Sequence, residues 1–397
     1  MQELLVNVDN NNKKILLVEN GKLIEKYDED QGQDRIEGNI YIGIVENVLP
    51  GMQAAFVNIG KDKNTFIHIR DVIPKVSDET GNKNEDFTGY NIKDYLRVGM
   101  PILVQVKKDS TNKKGARISA HLSLPGRFTV IMPNEKFVTI SQKIDDEEER
   151  NRLKEIVKKN LPDGYGAIVR TSAMSKKEDE IVDDLKRTIK KFVKIKDEYN
   201  KELEKGPNIQ SKLLYKSENM TQRILTDLID QELYRIVTND KKTFDEINRK
   251  LQQENKEIKI ELQDNILDQY DLKKQLEELD NRRVWLKCGG FITIDKTEAL
   301  TAIDVNSGKY TGKKDLEQTI FTVNKEATIE IAKQLRLRDI GGIIIIDYID
   351  MQNKENEEKI IELFRENLKK DRSKTQIVGF SKLNLLEMTR KHMCSND

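Results

Sequence analysis

A chain of 397 residues is long enough for about two to three domains and a sizeable core. Its 69 Lys+Arg balance 69 Asp+Glu, which excludes a binder working through a large overall positive charge and leaves nucleic-acid contacts to local patches. With 35% charged residues against 37% hydrophobic ones the core is lean, and two cysteines exclude a disulfide framework.

Apolar runs such as Ile15–Val18 and Ile343–Ile346 fall far short of the roughly 18 residues a membrane span needs. Met1-Gln-Glu has no basic segment leading into an apolar one, so no signal peptide is expected. A soluble protein of a reducing compartment, the cytoplasm, is the expectation.

Residues 1–36 alternate apolar and polar, and Glu19-Asn20-Gly21-Lys22 supplies a turn, a β-hairpin pattern. Short strands follow at Ile40–Val48, Gln53–Ile59, Thr65–Ile69, Ile102–Lys107 and Ala116–Ala120, the spacing of a small barrel. Val76–Asn91 between them reads as a long polar loop. Residues 122–215 mix strands (Phe128–Met132, Lys136–Ser141, Tyr165–Thr171) with two charged helices, Asp145–Lys159 and Lys176–Lys205. In 219–280, Leu225, Leu228, Ile229, Leu233 and Ile236 stand at helical spacing. From 283 onward the pattern predicts a β-hairpin, helix, strand, helix, strand and helix, an α/β layer.

Within that layer, Ala299-Leu-Thr-Ala-Ile-Asp304-Val-Asn306 puts Asp304 and Asn306 on one strand face, because side chains alternate with period two. A helix over about Asp315–Arg338 stops at Gly341-Gly342. The run Ile343–Ile346 then predicts a strand buried on both faces, ending in Asp347. Acidic residues at the carboxyl ends of such strands stand where ligands bind in α/β sheets. Oxygen-rich ligation with room for water suits Mg²⁺, so Asp304 and Asp347 are either a metal pair or turn and cap residues. Asp350 is assigned as a cap for a helix over Asn353–Asp371.

Gly308-Lys-Tyr-Thr-Gly312-Lys313-Lys314 has one residue too few between its glycines for a Walker loop, and Lys314 stands where Ser or Thr is needed. Arg170-Thr171, at a strand end, would suit a terminal phosphate, but from the dipeptide alone an ordinary surface Arg and a helix-capping Thr is the better reading. Gly126 is assigned to a tight turn. Lys107, Lys108, Lys113, Lys114, Arg117 and Arg127 stand against one acid, Asp109, in a stretch beside strands carrying Tyr41, Phe56 and Phe66. That is either a single-strand binding surface or a basic edge over core aromatics. His68, His121 and His392 have no metal-ligand spacing, and Cys288 is assigned to a strand and the core.

Four segments carry a resemblance. They are Gly38-Asn-Ile-Tyr-Ile-Gly-Ile-Val-Glu-Asn-Val-Leu-Pro-Gly-Met-Gln-Ala-Ala-Phe56-Val-Asn-Ile-Gly60, Thr297-Glu-Ala-Leu-Thr-Ala-Ile-Asp304-Val-Asn306-Ser, Gln334-Leu-Arg-Leu-Arg-Asp-Ile-Gly-Gly342 and Ile345-Ile-Asp347-Tyr-Ile-Asp-Met351. In these the chain resembles the ribonuclease E/G family, specifically a ribonuclease G-like catalytic core. The resemblance implies an α+β multidomain fold. An RNase H-like subdomain (1–36 and 216–280), non-catalytic at Asp227 and Asp230, would hold an inserted OB-fold RNA-binding barrel (37–120) and a 5′-sensor (121–215). A DNase I-like α/β catalytic subdomain (281–397) would follow.

The resemblance further implies that Asp304 and Asp347 hold catalytic Mg²⁺ and that Asn306 supports the scissile phosphate region. Arg170 and Thr171 would grip a 5′-monophosphate in a pocket shaped by Gly126 and Val130, and Phe56, Phe66 and Lys114 would engage single-stranded RNA. The implied activity is a Mg²⁺-dependent endoribonuclease that leaves 5′-phosphate ends and is stimulated by a 5′-monophosphate, in RNA processing and decay. The competing classes are a non-catalytic RNA-binding protein and a Mg²⁺ phosphodiesterase acting on DNA. Many members continue into a Cys-x-x-Cys zinc link between protomers. Asp397 stands where Cys394 would need its partner, so Zn²⁺ and a homodimer are expected only of a longer form. Gln142-Lys143 replaces a pair of basic residues common in relatives, which would weaken phosphate contacts near the sensor.

Overall fold

The structure, a computed structural model, describes all residues except 11, 31–34, 74–88, 111–113, 230–232, 255, 309–315 and 394–397. Several expectations therefore lie outside the described residues: most of the Val76–Asn91 loop, Lys113, Asp230, Gly312–Lys314, Cys394 and Asp397. The chain divides into two compact units, one of Asp34–Asn219 and one combining Met1–Gln33 with Met220–Asp397. No helix among the described residues is long and apolar enough to cross a membrane.

The alternating N-terminal pattern builds β1 (Gln2–Asp9), β2 (Asn12–Glu19) and β3 (Lys22–Asp30), paired antiparallel in sequence order. Asn20 and Gly21 turn the second hairpin with φ of 49° and 76°, the left-handed pair that matches the twist of the flanking strands.

In the unit Asp34–Asn219, a barrel is built from β4 (Ile40–Leu49), β5 (Ala54–Asn58), β6 (Thr65–His68), β7 (Pro101–Lys108) and β8 (Arg117–Ser119), with the short helix α1 (Ile92–Tyr95) before β7. The sheet runs β4-β5-β6-β8-β7 and closes through β4–β7, a five-stranded OB-like barrel filled by Val45, Val57, Ile67, Val104 and Ile118. Closure removes the sheet edges. Tyr41 is buried, with its hydroxyl near Asn39 Nδ2, and so belongs to the core rather than to a binding face.

The same unit continues with β9 (Leu124–Pro125), β10 (Thr129–Pro133), β11 (Val138–Ile140), α2 (Glu147–Asn160), β12 (Tyr165–Val169) and α3 (Glu178–Leu203). The sheet β11-β12-β10-β9 shares a core with the two helices through Phe128, Ile131, Leu153, Val157, Ile181 and Leu185. Asp146 caps α2 by accepting from the Glu148 and Glu149 amides. A further strand, β13 (Lys212–Tyr215), returns to pair with β4, so the barrel sheet extends beyond the expected stretch ending near residue 120.

In the other unit, α4 (Met220–Leu228) ends before Leu233, and Leu233 and Ile236 lie in β14 (Leu233–Thr238) rather than continuing a helix. The run Leu-Tyr-Arg-Ile-Val-Thr has the β-branched and aromatic content of a strand, and β1 supplies its parallel partner. After α5 (Lys241–Gln253) a second unexpected strand, β15 (Lys259–Leu262), pairs with β14. The resulting sheet, β15-β14-β1-β2-β3, packs Leu4, Ile15, Ile224, Leu228 and Ile247 on one face. Leu5 and Leu16 on the other face meet Ile266 of α6 (Ile266–Gln269) and Leu272 of α7 (Leu272–Glu277).

The rest of this unit is β16 (Arg283–Trp285), β17 (Phe291–Lys296), β18 (Leu300–Asn306), α8 (Leu316–Leu337), β19 (Gly342–Asp347), α9 (Lys354–Leu368), β20 (Thr375–Phe380) and β21 (Leu385–Arg390). The last described elements are thus a β-hairpin, not the expected strand and helix. The six strands run β16-β17-β18-β19-β21-β20, and α8 and α9 bury Val323, Ala327, Ile331, Ile360 and Phe364 against one face. The opposite face is exposed at Ala302, Asp304, Ile343 and Asp347, so β19 is buried on one side only. Ile344 and Ile346 are fully buried, Ile345 is half-buried, and Ile343 is 52% exposed. Cys288 sits in the β16–β17 turn, half-buried, with its amide donating to Glu326 Oε2 (2.8 Å), and is not a strand residue. Burial raises its thiol pKa.

Candidate active site

Strands β18 and β19 are neighbours, parallel, and joined through α8, and their register sets Asp304 directly opposite Asp347. Adjacent strands lie about 4.8 Å apart, which brings two carboxylates together at the carboxyl end of both strands. On β18, Thr301, Ile303 and Val305 are buried while Ala302 and Asp304 are exposed, so Asp304 and Asn306 share the open face. Asn306 Nδ2 donates to Asp304 Oδ2 at 2.5 Å, orienting that carboxylate. Gly290 lets the β16–β17 turn approach: a Cβ there would lie 2.8 Å from the Asn306 carbonyl oxygen.

Asp347 has its pKa raised, first by partial burial and then by the charges of Asp304 and Asp350. The charge of Asp304 opposes ionisation of Asp347, and a cation between the two would relieve that conflict. The pair suits a hard divalent ion that takes few protein oxygens and keeps open positions for water or phosphate. No group of three or more His, Cys, Asp or Glu able to hold a metal occurs among the described residues, so any ion here would draw other ligands from outside these side chains. Asp350 is not the α9 cap. That role belongs to Asn353, whose side chain accepts from the Glu355 amide, while Asp350 meets Asn384 Nδ2.

The second candidate site lies in the other unit. Arg170 and Thr171 follow β12 directly, and Arg170 Nη1 donates to the Gly126 carbonyl (3.1 Å). The Thr171 and Ser141 hydroxyls lie 3.1 Å apart, just ahead of Gln142 and Lys143. Gly126, Arg170 and Thr171 are thus brought together, and Val130 stands one strand position beyond the same loop, paired with Ile168. Sequence reasoning missed the residue that organises this loop. Asp184, buried in α3, accepts from the amides of Arg127 (2.9 Å), Phe128 (2.9 Å) and Thr129 (3.3 Å). A Cβ on Gly126 would fall 2.6 Å from Asp184 Oδ2 and 2.7 Å from Thr188 Oγ1, so only glycine fits the turn. The signal was present, since Asp184 falls beside the apolar stripe Ile181, Leu185, Phe192, where a bare carboxylate needs partners.

On the barrel, Phe56 and Phe66 are cross-strand partners of β5 and β6, half-buried, with ring centroids 6.1 Å apart edge to face. Lys114 is exposed just before β8. Of the basic stretch, Arg117 pairs with Asp71, Lys107 donates to Gln105, and Arg127 is buried.

A sequence profile of the Ribonuclease E/G family matches residues 123–393, a span that contains both aspartates and the Arg170 loop. The chain is 39% identical to ribonuclease G of Salmonella typhimurium over 98% of its own length and 79% of that protein's. The chain belongs to the ribonuclease E/G family. It is also 40% identical to ribonuclease G of Haemophilus influenzae, again over 98% of this chain and 79% of the relative. Against ribonuclease E of a Nostoc strain the identity is 36%, over 97% of this chain and 56% of that longer protein.

Proposed function

We propose that this ribonuclease E/G family member cuts single-stranded RNA with Mg²⁺ held by Asp304 and Asp347, and favours substrates bearing a 5′-monophosphate. That the chain is an endoribonuclease of RNA processing follows from its family and from ribonuclease G relatives matched along nearly its whole length. The observation that carries the metal assignment is the parallel register that sets Asp304 against Asp347. Bound there, Mg²⁺ would supply a nucleophile from water and offset charge developing on the scissile phosphate. Asp304 and Asp347 would hold the ion, and the Asn306 amide, which donates to Asp304 Oδ2, would orient that carboxylate toward it and support the scissile phosphate region. In the Arg170 loop, the guanidinium and the Thr171 hydroxyl offer a charged fork and a directional donor to a terminal phosphate. Phe56 and Phe66 present ring surface for stacked bases, with Lys114 for the backbone.

We assign 37–120 to an OB-fold RNA-binding domain and 121–215 to a 5′-sensor. Residues 1–36 with 216–280 form an RNase H-like part, supported by the single sheet that joins β1–β3 to β14 and β15. Residues 281–397 form a DNase I-like catalytic part, and the place of action is the cytoplasm.

The deciding assay is cleavage of one single-stranded RNA carrying either a 5′-monophosphate or a 5′-hydroxyl, with Mg²⁺ and with EDTA, beside DNA of matched sequence. Faster cutting of the monophosphate, lost in EDTA and absent on DNA, supports the whole assignment. Binding without cutting in Mg²⁺ refutes it. Because Asp347 keeps its proton to a higher pH than an ordinary carboxyl, protons compete with the ion as pH falls. The Mg²⁺ concentration for half-maximal cleavage is therefore expected to rise on acidification, as Mg²⁺ titrations at several pH values would read. Phe56→Ala is expected to weaken single-stranded RNA binding about 5- to 100-fold, the range for loss of one stacked base, measured by fluorescence anisotropy.

A further inference from the structure

The open face of the six-stranded sheet carries more than the carboxylates. Register aligns Arg283, Thr293, Asp304 and Asp347 in one row across β16, β17, β18 and β19. The adjoining row is Trp285, Phe291 and Asn306. Trp285, the only tryptophan in the chain, is 62% exposed. Its ring meets Phe291 edge to face at 5.3 Å, and the Arg283 guanidinium lies 4.4 Å from the Phe291 centroid and 5.7 Å from that of Trp285. An exposed aromatic pair beside a cation, on the same sheet face as the two carboxylates, is an arrangement that an unpaired base with its phosphate fits.

We infer that Trp285, with Phe291 and Arg283, forms a nucleobase-stacking subsite that holds one unpaired base of the RNA close to the scissile phosphate. The inference rests on the Asp304–Asp347 site being the cleavage centre. The charge pattern favours a nucleotide over a protein partner. Arg283 and the ring faces suit a base with its attached phosphate, and the carboxylates in the neighbouring row accept the backbone only through a metal. Two strand spacings separate Trp285 from Asn306, about 10 Å, which sets the stacked base about one to three nucleotides from the cut. Stacking of this kind tolerates any base, so the subsite would fix the strand's path rather than read its sequence.

The test uses a single-stranded, 5′-monophosphorylated RNA with one known cleavage site and a series in which one base at a time is replaced by an abasic ribonucleotide. For the unmodified enzyme, one abasic position near the cut should raise KM about 5- to 100-fold with kcat changed little. In Trp285→Ala the intact substrate should show that same rise, and the abasic substitution should then cost almost nothing more. Trp285→Phe should restore most of the loss. Two independent, multiplying effects, or an unchanged KM in Trp285→Ala, would overturn the subsite. In Asp304→Asn enzyme, which should bind without cutting, RNA should quench the single tryptophan emission, and no quenching would also overturn it. If Asp304→Asn cleaves normally, the catalytic assignment fails, and quenching still reports on Trp285 separately. If Trp285→Ala instead shifts the sedimentation coefficient from dimer to monomer, this face is a contact between copies and the proposal is wrong.

Discussion

Asp304→Asn is expected to lower cleavage of single-stranded RNA by at least about 1,000-fold while leaving RNA affinity within about twofold. The magnitude corresponds to the several kcal/mol a metal supplies to a developing phosphoryl charge. The substitution keeps the side chain's shape and its hydrogen bond with Asn306 but removes one of two charges facing each other across β18 and β19. It also takes away a neighbouring charge that raises the pKa of Asp347, so the remaining carboxyl should titrate closer to its ordinary value. Single-turnover cleavage beside anisotropy with the same oligonucleotide separates chemistry from binding. Cleavage within tenfold of the unmodified enzyme would remove Asp304 from the active site.

Asp184→Ala should abolish the preference for a 5′-monophosphate and leave cleavage of the 5′-hydroxyl substrate within about twofold. Three backbone amides, those of Arg127, Phe128 and Thr129, converge on this buried carboxylate. Hydrogen bonds to a charged acceptor are worth about 1.5–3 kcal/mol each, and stranded buried amides add a further cost. The loop carrying Gly126, against which Arg170 is held, should lose about 3 kcal/mol of local stability. Amide exchange over residues 126–129 should then accelerate about 100-fold without global unfolding. Exchange mass spectrometry and the ratio of kcat/KM for the two 5′ ends read the two effects. Retained monophosphate preference with a loosened loop would show that Arg170 and Thr171 do not form the sensor.

Much of the local structure was legible. Strands β1–β8 and helices α2, α3 and α8 fall close to where alternation, 3.6-residue spacing and turn residues placed them. Period two alone put Asp304 and Asn306 on one face. Where one segment's periodicity was ambiguous, the reading failed. Leu225, Leu228, Ile229, Leu233 and Ile236 fit a helix, yet the last two lie in β14. β14 is defined by parallel pairing with β1, more than two hundred residues earlier, and no local pattern reports such a partner. The run Ile343–Ile346 misled in the opposite direction. Continuous apolarity marks a strand, but whether both faces are covered depends on which helices pack there, and α8 and α9 both take the same side.

The candidate site divides the same way. Residue types, the same-face placement of Asp304 and Asn306, and the strand end at Asp347 come from the sequence by itself, because backbone sterics act over a few residues. So does the resemblance that led to the family. Tertiary structure alone decided that Asp347 lies opposite Asp304, that Asp184 gathers the Gly126 loop, and that Trp285 shares an open sheet face with the carboxylates. Register and burial are set by competition among distant segments for the same buried surface, and that free energy belongs to the folded chain rather than to any stretch of it.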